Sequence, residues 1–340
     1  MTRALRDSRP LIHFWLPTGP PQEELLAWDP DREPVRFASG VGHNVYELFT
    51  RLHADGVPVT LGPVVPDETK LVVLYAVSIE RLAERKRALA VIRRRQCRYA
   101  LIRADAPAVF RMPVPPLVDF VPIPRRVRKS NERWLPPLPQ RGLVPRSPER
   151  FGRIRSVAFK GNPENAPFEI RSVPFRSALS HRGIELVIDT PRRTDGSDQS
   201  WHDFSGVDVV LCLRRATKWR DIERKPPTKV VNAWCAGCIP IAGREPGYLD
   251  IAADGEDAFF VDDTEACLGA LDRLRADGRL LKRMERRIAE HRIAYSSSAV
   301  LGCWREALLE AVSSADARRL RRWTRTAAAA AAEVRGALRR

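Results

Sequence analysis

Short runs that are apolar at every position alternate along this chain with longer stretches in which apolar residues return every three or four positions. The first pattern suits strands buried on both faces of a parallel sheet, and the second suits helices that cover those faces. Leu11 to Leu16, closed by Pro17, reads as the first strand, and Thr18 to Glu33 as a loop rich in proline and acid. From Ala38 to Leu52 the spacing turns helical, with Val45, Leu48, Phe49 and Leu52 on one face and Asp55-Gly56 as the stop. Val57 to Leu61 resumes strand, and Lys70 to Val77 is an almost unbroken apolar run. Ile79 to Arg94 is an amphipathic basic helix, followed by strands at Arg98 to Arg103 and Phe120 to Pro124. This alternation predicts an open, mostly parallel sheet over residues 1–125.

The composition then changes to proline, arginine and loop formers, so residues 126–150 read as a linker, anchored by Trp134. The alternation restarts with a strand at Ile154 to Asn162, a helix at Pro167 to Arg182 and a strand at Gly183 to Asp189. A polar loop at 190–200, a short helix at Trp201 to Phe204 and a strand at Val207 to Arg214 follow. Further helices are expected at Glu265 to Arg275, Glu285 to Ala294 and Ala299 to Ser313. Residues 151–312 thus predict a second domain, and 313–340, with Arg318 to Arg322 and the run Ala327 to Ala332, a basic alanine-rich helix. The fold class is α/β: two Rossmann-like domains whose parallel sheets face a cleft, with a C-terminal helical tail.

The most informative stretch runs from Lys225 to Tyr248. Two prolines open it, and proline is tolerated in the first turn of a helix, where its missing N–H has no partner to lose. A helix therefore starts near Pro227, buries Val230, Val231, Ala233 and Trp234, and stops at Gly237 and Pro240. Ile239 to Ala242 is a short buried strand and Gly243 to Tyr248 the loop that leaves it. The helix start brings free N–H groups and the positive end of the dipole beside Lys225, Thr228 and Lys229, a setting for a phosphate or diphosphate without a metal. Asn232, one turn on, and Glu245, beyond the strand, are placed to hold ribose or a sugar hydroxyl.

The same residues carry a resemblance. Lys225-Pro226, Lys229, Asn232-Ala233-Trp234, Ala236-Gly237 and Pro240, followed by Gly243, Glu245 and Tyr248, resemble the donor-nucleotide segment of GT-B glycosyltransferases of the bacterial "glycosyl transferases group 1" type. Trp201, Phe204 and Val207 to Leu211 before it, and Gly255 to Val261 after it, are similar to the same group, which covers Val207 to His291. The resemblance implies an enzyme that moves a sugar from a nucleotide-diphosphate sugar to a hydroxyl on a glycan, a lipid-linked or a small-molecule acceptor, with no metal or other cofactor. It also implies that Lys160-Gly161, at the end of the second domain's first strand, meets the donor diphosphate; Arg214 and Arg215, which leave the strand at its carboxyl end facing the Lys225 loop, are each placed to contact donor phosphate or stay solvated. Many retaining members have a glutamate where this chain has Asn232, so retention or inversion stays open.

In the first domain, the loop Gly40-Val41-Gly42 precedes His43, and histidine is the side chain most often used as a general base toward an acceptor hydroxyl. A capping or surface histidine is the plainer reading. Asp105, after a strand, is a second acceptor-side candidate, an exposed loop carboxylate being the plainer reading. The Gly-x-Gly lacks the third glycine and acidic residue of a dinucleotide fingerprint, which argues against NAD. Six cysteines follow no disulfide spacing, and Cys235-x-x-Cys238 has no second pair to complete a zinc site, so it reads as structural.

A net charge of +16 bears on partners. Arginine is spread through the chain, not gathered in one stripe, which favours acidic partners by field alone: a phosphorylated donor, peripheral contact with an anionic membrane, or nucleic acid without specific recognition. No apolar run reaches the roughly 20 residues of a membrane span, and the N-terminus lacks a signal-peptide core, so a cytoplasmic protein, with contact at the inner membrane face, is expected. The alternatives are a catalytically silent nucleotide-sugar binding module and a basic nucleic-acid-associated protein.

Overall fold

A computed structural model of the chain describes residues 11–106, 110–161, 165–167, 169–189, 201–215, 222 and 224–314. The loop expected at 190–200 and the tail beyond residue 314 lie outside them. The first domain is a sheet of six parallel strands: β1 (Ile12–Trp15), β2 (Val59–Gly62), β3 (Leu71–Tyr75), β4 (Arg98–Ile102), β5 (Val118–Val121) and β6 (Glu132–Trp134), in the order β2-β1-β3-β4-β5-β6. Its helices are α1 (Gln22–Leu26), within the stretch expected to be loop, α2 (Glu47–Ala54), entered through the π-helical turn Gly42–Tyr46, and α3 (Leu82–Arg95). Side chains alternate across a strand, and β3 divides accordingly. Leu71, Val73 and Tyr75 join the core that holds Leu48, Phe49 and Leu52 of α2, while Val72 and Leu74 join Ala88, Leu89 and Ile92 of α3.

Two boundaries differ from the expectation. The proline- and arginine-rich stretch is not linker throughout: β6 pairs with β5, Asp119 opposite Glu132 and Val121 opposite Trp134, which carries the first sheet past residue 125. At the other end, a helix over 297–314, α9 below, returns to the first domain. Its Val300, Ala307, Leu308, Ala311 and Val312 are buried in that domain's core, and Trp304 packs 4.8 Å from Phe120 while donating to Pro136 O.

The second sheet, also parallel, comprises β7 (Ser156–Lys160), β8 (Glu185–Asp189), β9 (Val209–Cys212), β10 (Ile239–Ala242) and β11 (Phe259–Phe260), ordered β11-β10-β9-β7-β8. Around it lie α4 (Val173–His181), α5 (Thr228–Ala236), α6 (Pro246–Leu249), α7 (Thr264–Ala276), α8 (Gly278–Ala294) and then α9. Trp201 to Phe204, expected to be helical, is a turn in which Asp203 bridges to Val144 of the crossover. α5 starts and stops at the expected punctuation: Pro227 precedes it, and Gly237, at φ 75°, takes the left-handed conformation that ends it. Trp234 fixes α5 to α8, fully buried, stacked 4.0 Å from His291 and donating through Nε1 to Asp257 O.

Buried Arg146 pins the crossover to the second domain. Arg146 donates to Asp208, Glu285, Arg150 O and Arg153 O, and neither Arg146 nor Asp208 reaches solvent. Asp208 also accepts from Arg150 and from the N–H groups of Arg155 and Ser156. A buried charge of this kind persists only with such complete pairing.

Candidate active site

In open parallel sheets the ligand crevice lies beyond the carboxyl ends of the strands, where the strand order reverses. In the second sheet that point falls between β7 and β9. Gly161 follows β7 there, and Leu213-Arg214 follow β9. Lys229, from the first turn of α5, reaches between them. Its Nζ donates to Leu213 O at 3.1 Å and stands 3.9 Å from the centre of the Phe159 ring. Gly161 leaves room for it: a Cβ would sit 3.6 Å from that Nζ, at a φ of +146° that side chains seldom adopt. Burial, reinforced by Arg214, pulls the Lys229 ammonium down to about 7. Among the described residues no side chain caps α5, so the N–H groups of its first turn, with Thr228 at their head, are open to a ligand.

Beside this cation lies a second charged pair. Arg214 Nε donates to Glu245 Oε2 at 3.0 Å, with Tyr248 fully buried against the same guanidinium. Burial raises the Glu245 carboxyl above its usual range against the pull of Arg214. Its other oxygen, Oε1, is buried and accepts no hydrogen bond among the described residues. Gly247 lets this corner pack tightly, since a Cβ there would come 2.8 Å from Lys225 O and 3.0 Å from Ile123 Cγ2 of the first domain.

The remaining donor-side candidates are used differently. Lys225 turns across the cleft and pairs with Asp105 at 2.7 Å. Lys160, nearly buried, bonds Asp189 Oδ2 at 3.0 Å and Asp203 O at 2.7 Å, which ties the ends of β7 and β8 to the turn after Trp201. Asn232 spends its amide on the crossover: Oδ1 accepts from Gln140 N at 2.8 Å, and Nδ2 donates to Gln140 Oε1 at 3.3 Å. Lys229, Arg214, Glu245 and Gly161 are thus brought together, while Lys160 and Asn232 hold surrounding structure.

In the first sheet the order reverses between β1 and β3. The Gly40 to Asn44 turn lies over that point, with Asn44 Nδ2 donating to Gly40 O and to Tyr75 OH at the end of β3. His43 Nδ1 is 3.2 Å from Glu47 Oε2 and 2.9 Å from Arg141 Nη1, and Arg141 also donates to Glu47 at 2.9 Å. Burial disfavours ionised Glu47, yet His43, Arg141 and Arg51 outweigh it and hold the carboxyl below its usual range. When Nδ1–H donates to Glu47, Nε2 carries the lone pair; a donor hydrogen from Arg141 to Nδ1 selects the opposite tautomer.

No family model matches the sequence, and no curated protein matches it. Solved structures do. Sucrose-phosphate synthase from Thermosynechococcus elongatus is similar at 12% identity over 90% of this chain and 100% of its own, with a TM-score of 0.56. Anabaena HepE in complex with UDP is similar at 9% identity over 89% and 100%, TM-score 0.51. A glycosyltransferase from Rickettsia africae is similar at 9% over 90% and 99%, TM-score 0.51. The chain has the GT-B fold.

In GT-B terms, the Lys229 crevice and the His43 turn lie on opposite sides of the interdomain cleft, bridged by Lys225 and Asp105. Sequence reasoning missed the support of His43. Glu47 stands four residues on, a spacing that places the two on one helical face. Arg141 comes from the crossover and leaves no local signal. Cys235 and Cys238 are buried, directed at Tyr295 O and Val207 O, and desolvation pushes both thiols up to about 12, so neither is a reactive thiolate. Among the described residues, no group of three or more His, Cys, Asp or Glu side chains gathers as a metal site, and no helix is long and apolar enough to cross a membrane.

Proposed function

We propose that the protein is a glycosyltransferase that moves a sugar from a nucleotide-diphosphate sugar to a hydroxyl acceptor, on a glycan, a lipid-linked or a small molecule, without a metal. The observation that carries this reading is the position of Lys229: a desolvated ammonium at the head of an uncapped helix, at the switch point of the second sheet, with Arg214 beside it. Such preorganised positive charge stabilises the charge that grows on a departing diphosphate, the work a metal does elsewhere. Lys225 joins it when the diphosphate draws it from Asp105. Glu245 Oε1, buried without a hydrogen-bond donor among the described residues, accepts from a sugar hydroxyl. The UDP and UDP-glucose complexes of HepE support a nucleotide-sugar ligand for this fold.

On the acceptor side, His43 removes the hydroxyl proton in the tautomer whose Nδ1–H donates to Glu47. A general base contributes roughly 10²- to 10⁴-fold in rate, so His43→Gln lowers kcat by that order while UDP affinity holds. The first experiment is a thermal-shift screen against UDP, GDP, ADP, TDP and CMP, with magnesium or with a chelator, followed by turnover with the sugar nucleotides of the best binder. A metal-independent shift and release of nucleotide diphosphate on acceptor glycosylation carry the proposal. Absence of any shift in the folded protein defeats it. Shift without turnover favours the binding-module reading, in line with Asn232 being committed to Gln140.

A further inference from the structure

The crossover passes from one domain to the other within a few residues. Leu138 is buried in the core of the first domain, and Leu143 packs against the core of the second. Between them, buried Gln140 is bonded to the second domain: its backbone N–H and side-chain oxygen take up the Asn232 amide on α5, and its Nε2 donates to Trp201 O at 3.2 Å. Arg141, the next residue, reaches into the first domain. Its Nε donates to Pro34 O at 3.2 Å, and its Nη1 meets His43 and Glu47. Gly142 then turns at φ 60° and donates to Asp31 Oδ1. Two consecutive crossover residues thus hold the donor helix and the acceptor-side histidine.

Three polar atoms meet where Arg141 arrives. Its Nη1 is 2.9 Å from His43 Nδ1 and 2.9 Å from Glu47 Oε2, and those two are 3.2 Å apart. A guanidinium keeps all its hydrogens, so Nη1 has one for each neighbour. With a lone pair on Nδ1, both hydrogens are accepted. With a hydrogen on Nδ1, two N–H donors face each other at 2.9 Å. The first arrangement is therefore selected, and in it Nε2 carries the proton and has no lone pair to offer an acceptor hydroxyl. The other charges around the imidazole do not reverse this choice, since Arg51 of α2 bonds the second Glu47 oxygen at 3.1 Å and is itself held by Asp31.

We infer that Arg141 is a positioning residue that holds His43 in its idle tautomer until the crossover withdraws it. The inference rests on the reading of His43 as the base. Withdrawal leaves Glu47 to accept from Nδ1–H. One N–H bond breaks at Nε2 and one forms at Nδ1, the proton passing through solvent, which reaches the 18% of the His43 side chain that is exposed. No net charge is gained, and Nε2 acquires the lone pair that the base needs. The donor helix has a grip on this step. Asn232, one turn on from Lys229, holds Gln140, and Gln140 precedes Arg141, so a diphosphate that pulls on the start of α5 acts on Arg141 through two hydrogen bonds and one peptide unit.

The test is long-range proton–nitrogen NMR of the full chain labelled with ¹⁵N-histidine, at a pH above the histidine range. The His43 signals are those lost in His43→Gln. The wild type should show Nε2–H with an unprotonated Nδ1. Arg141→Met, which keeps an unbranched side chain and has no donor, should shift the tautomer ratio toward Nδ1–H by roughly tenfold or more, the weight of one hydrogen bond to a charged group. Arg141→Lys, which keeps a donor, should retain the wild-type tautomer, and UDP should move the wild type as Arg141→Met does. Nδ1–H or an imidazolium in the wild type overturns the inference whether or not a variant folds, and so does a folded Arg141→Met that keeps Nε2–H. UDP binding is read by calorimetry on the same samples. If UDP binds and the tautomer does not respond, the inference fails and the donor reading stands. If no nucleotide binds while the tautomer follows Arg141, the positioning role stands and the glycosyltransferase reading fails.

Discussion

Replacing Lys229 with methionine isolates the group on which the donor site depends. The ordinary lysine value is 10.5, and in the fold it falls to about 7. Between these values the unfolded chain holds a proton that the folded chain has lost, so stability rises with pH across that window. At 1.36 kcal/mol per unit, the wild type gains about 2.5 kcal/mol between pH 7 and pH 9 from this group alone. Lys229→Met has no such term. Against this, the variant loses the bond to Leu213 O, a cost of about 1 kcal/mol that is independent of pH. Urea denaturation of both proteins at half-unit pH steps therefore yields a stability difference that favours the variant near neutrality and narrows toward pH 9. UDP titrations at the same pH values read the other side of the linkage. A bound diphosphate holds Lys229 protonated, so wild-type affinity falls above pH 7 with uptake of close to one proton, and the variant binds about 10- to 100-fold more weakly without that slope. Parallel stability curves for the two proteins, or UDP affinity flat with pH in the wild type, would refute the reasoning.

Three further outcomes follow from the same geometry. His13, buried in β1 between Thr60 and Gly62 O, is pulled down to about 4 by desolvation, so below pH 6.5 the unfolded chain takes up a proton that the fold refuses. Stability should drop by about 1.4 kcal/mol per pH unit down to pH 4, near 3.4 kcal/mol in all, and acid titration of His13→Gln should lack that component. Arg146→Met leaves Asp208 and Glu285 short of their shared cation and should cost about 3–5 kcal/mol in urea denaturation, a loss under 1 kcal/mol being incompatible with the network described. Gly247→Ala drives a methyl against Lys225 O and should destabilise by about 1–3 kcal/mol and weaken UDP binding, whereas Gly255→Ala, with open space around it but φ at 74°, should lower stability and leave UDP affinity alone.

The fold was legible where burial alone dictates sequence. β3 and β9 are covered on both faces and are apolar throughout, and α5 carries its own start and stop in Pro227 and Gly237. The elements that escaped notice lack such pressure. α1 is five residues long and buries only Leu25, so no period can develop. β6 is a half-buried edge strand, Glu-Arg-Trp, whose place comes from its backbone pairing with β5 and not from its side chains. α9 has an apolar face that periodicity reveals, but periodicity does not name the partner. Trp304 against Phe120 and Arg305 beside Asp55 decide that it belongs with the first domain.

The site divides along the same line. Residue type and position along an element could place Lys225, Lys229 and Asn232 near a helix start, but not fix where each side chain is spent. Asn232 has both halves of its amide matched by Gln140, a residue ninety-two positions away, and only the crossover's path brings that partner in. The two lysines, alike in sequence, separate by environment. Lys225 makes an ion pair about one-third exposed on each side, worth at most about 1 kcal/mol, so a diphosphate displaces Asp105 from it at little cost. Among the described residues Lys229 pairs with no carboxylate, only with a carbonyl and a ring face, and its desolvation is already part of the folded state. A ligand's negative charge recovers what that burial costs, whereas at Lys225 it merely replaces one anion by another. Of the two, Lys229 is therefore the residue through which donor binding and protein stability must be coupled.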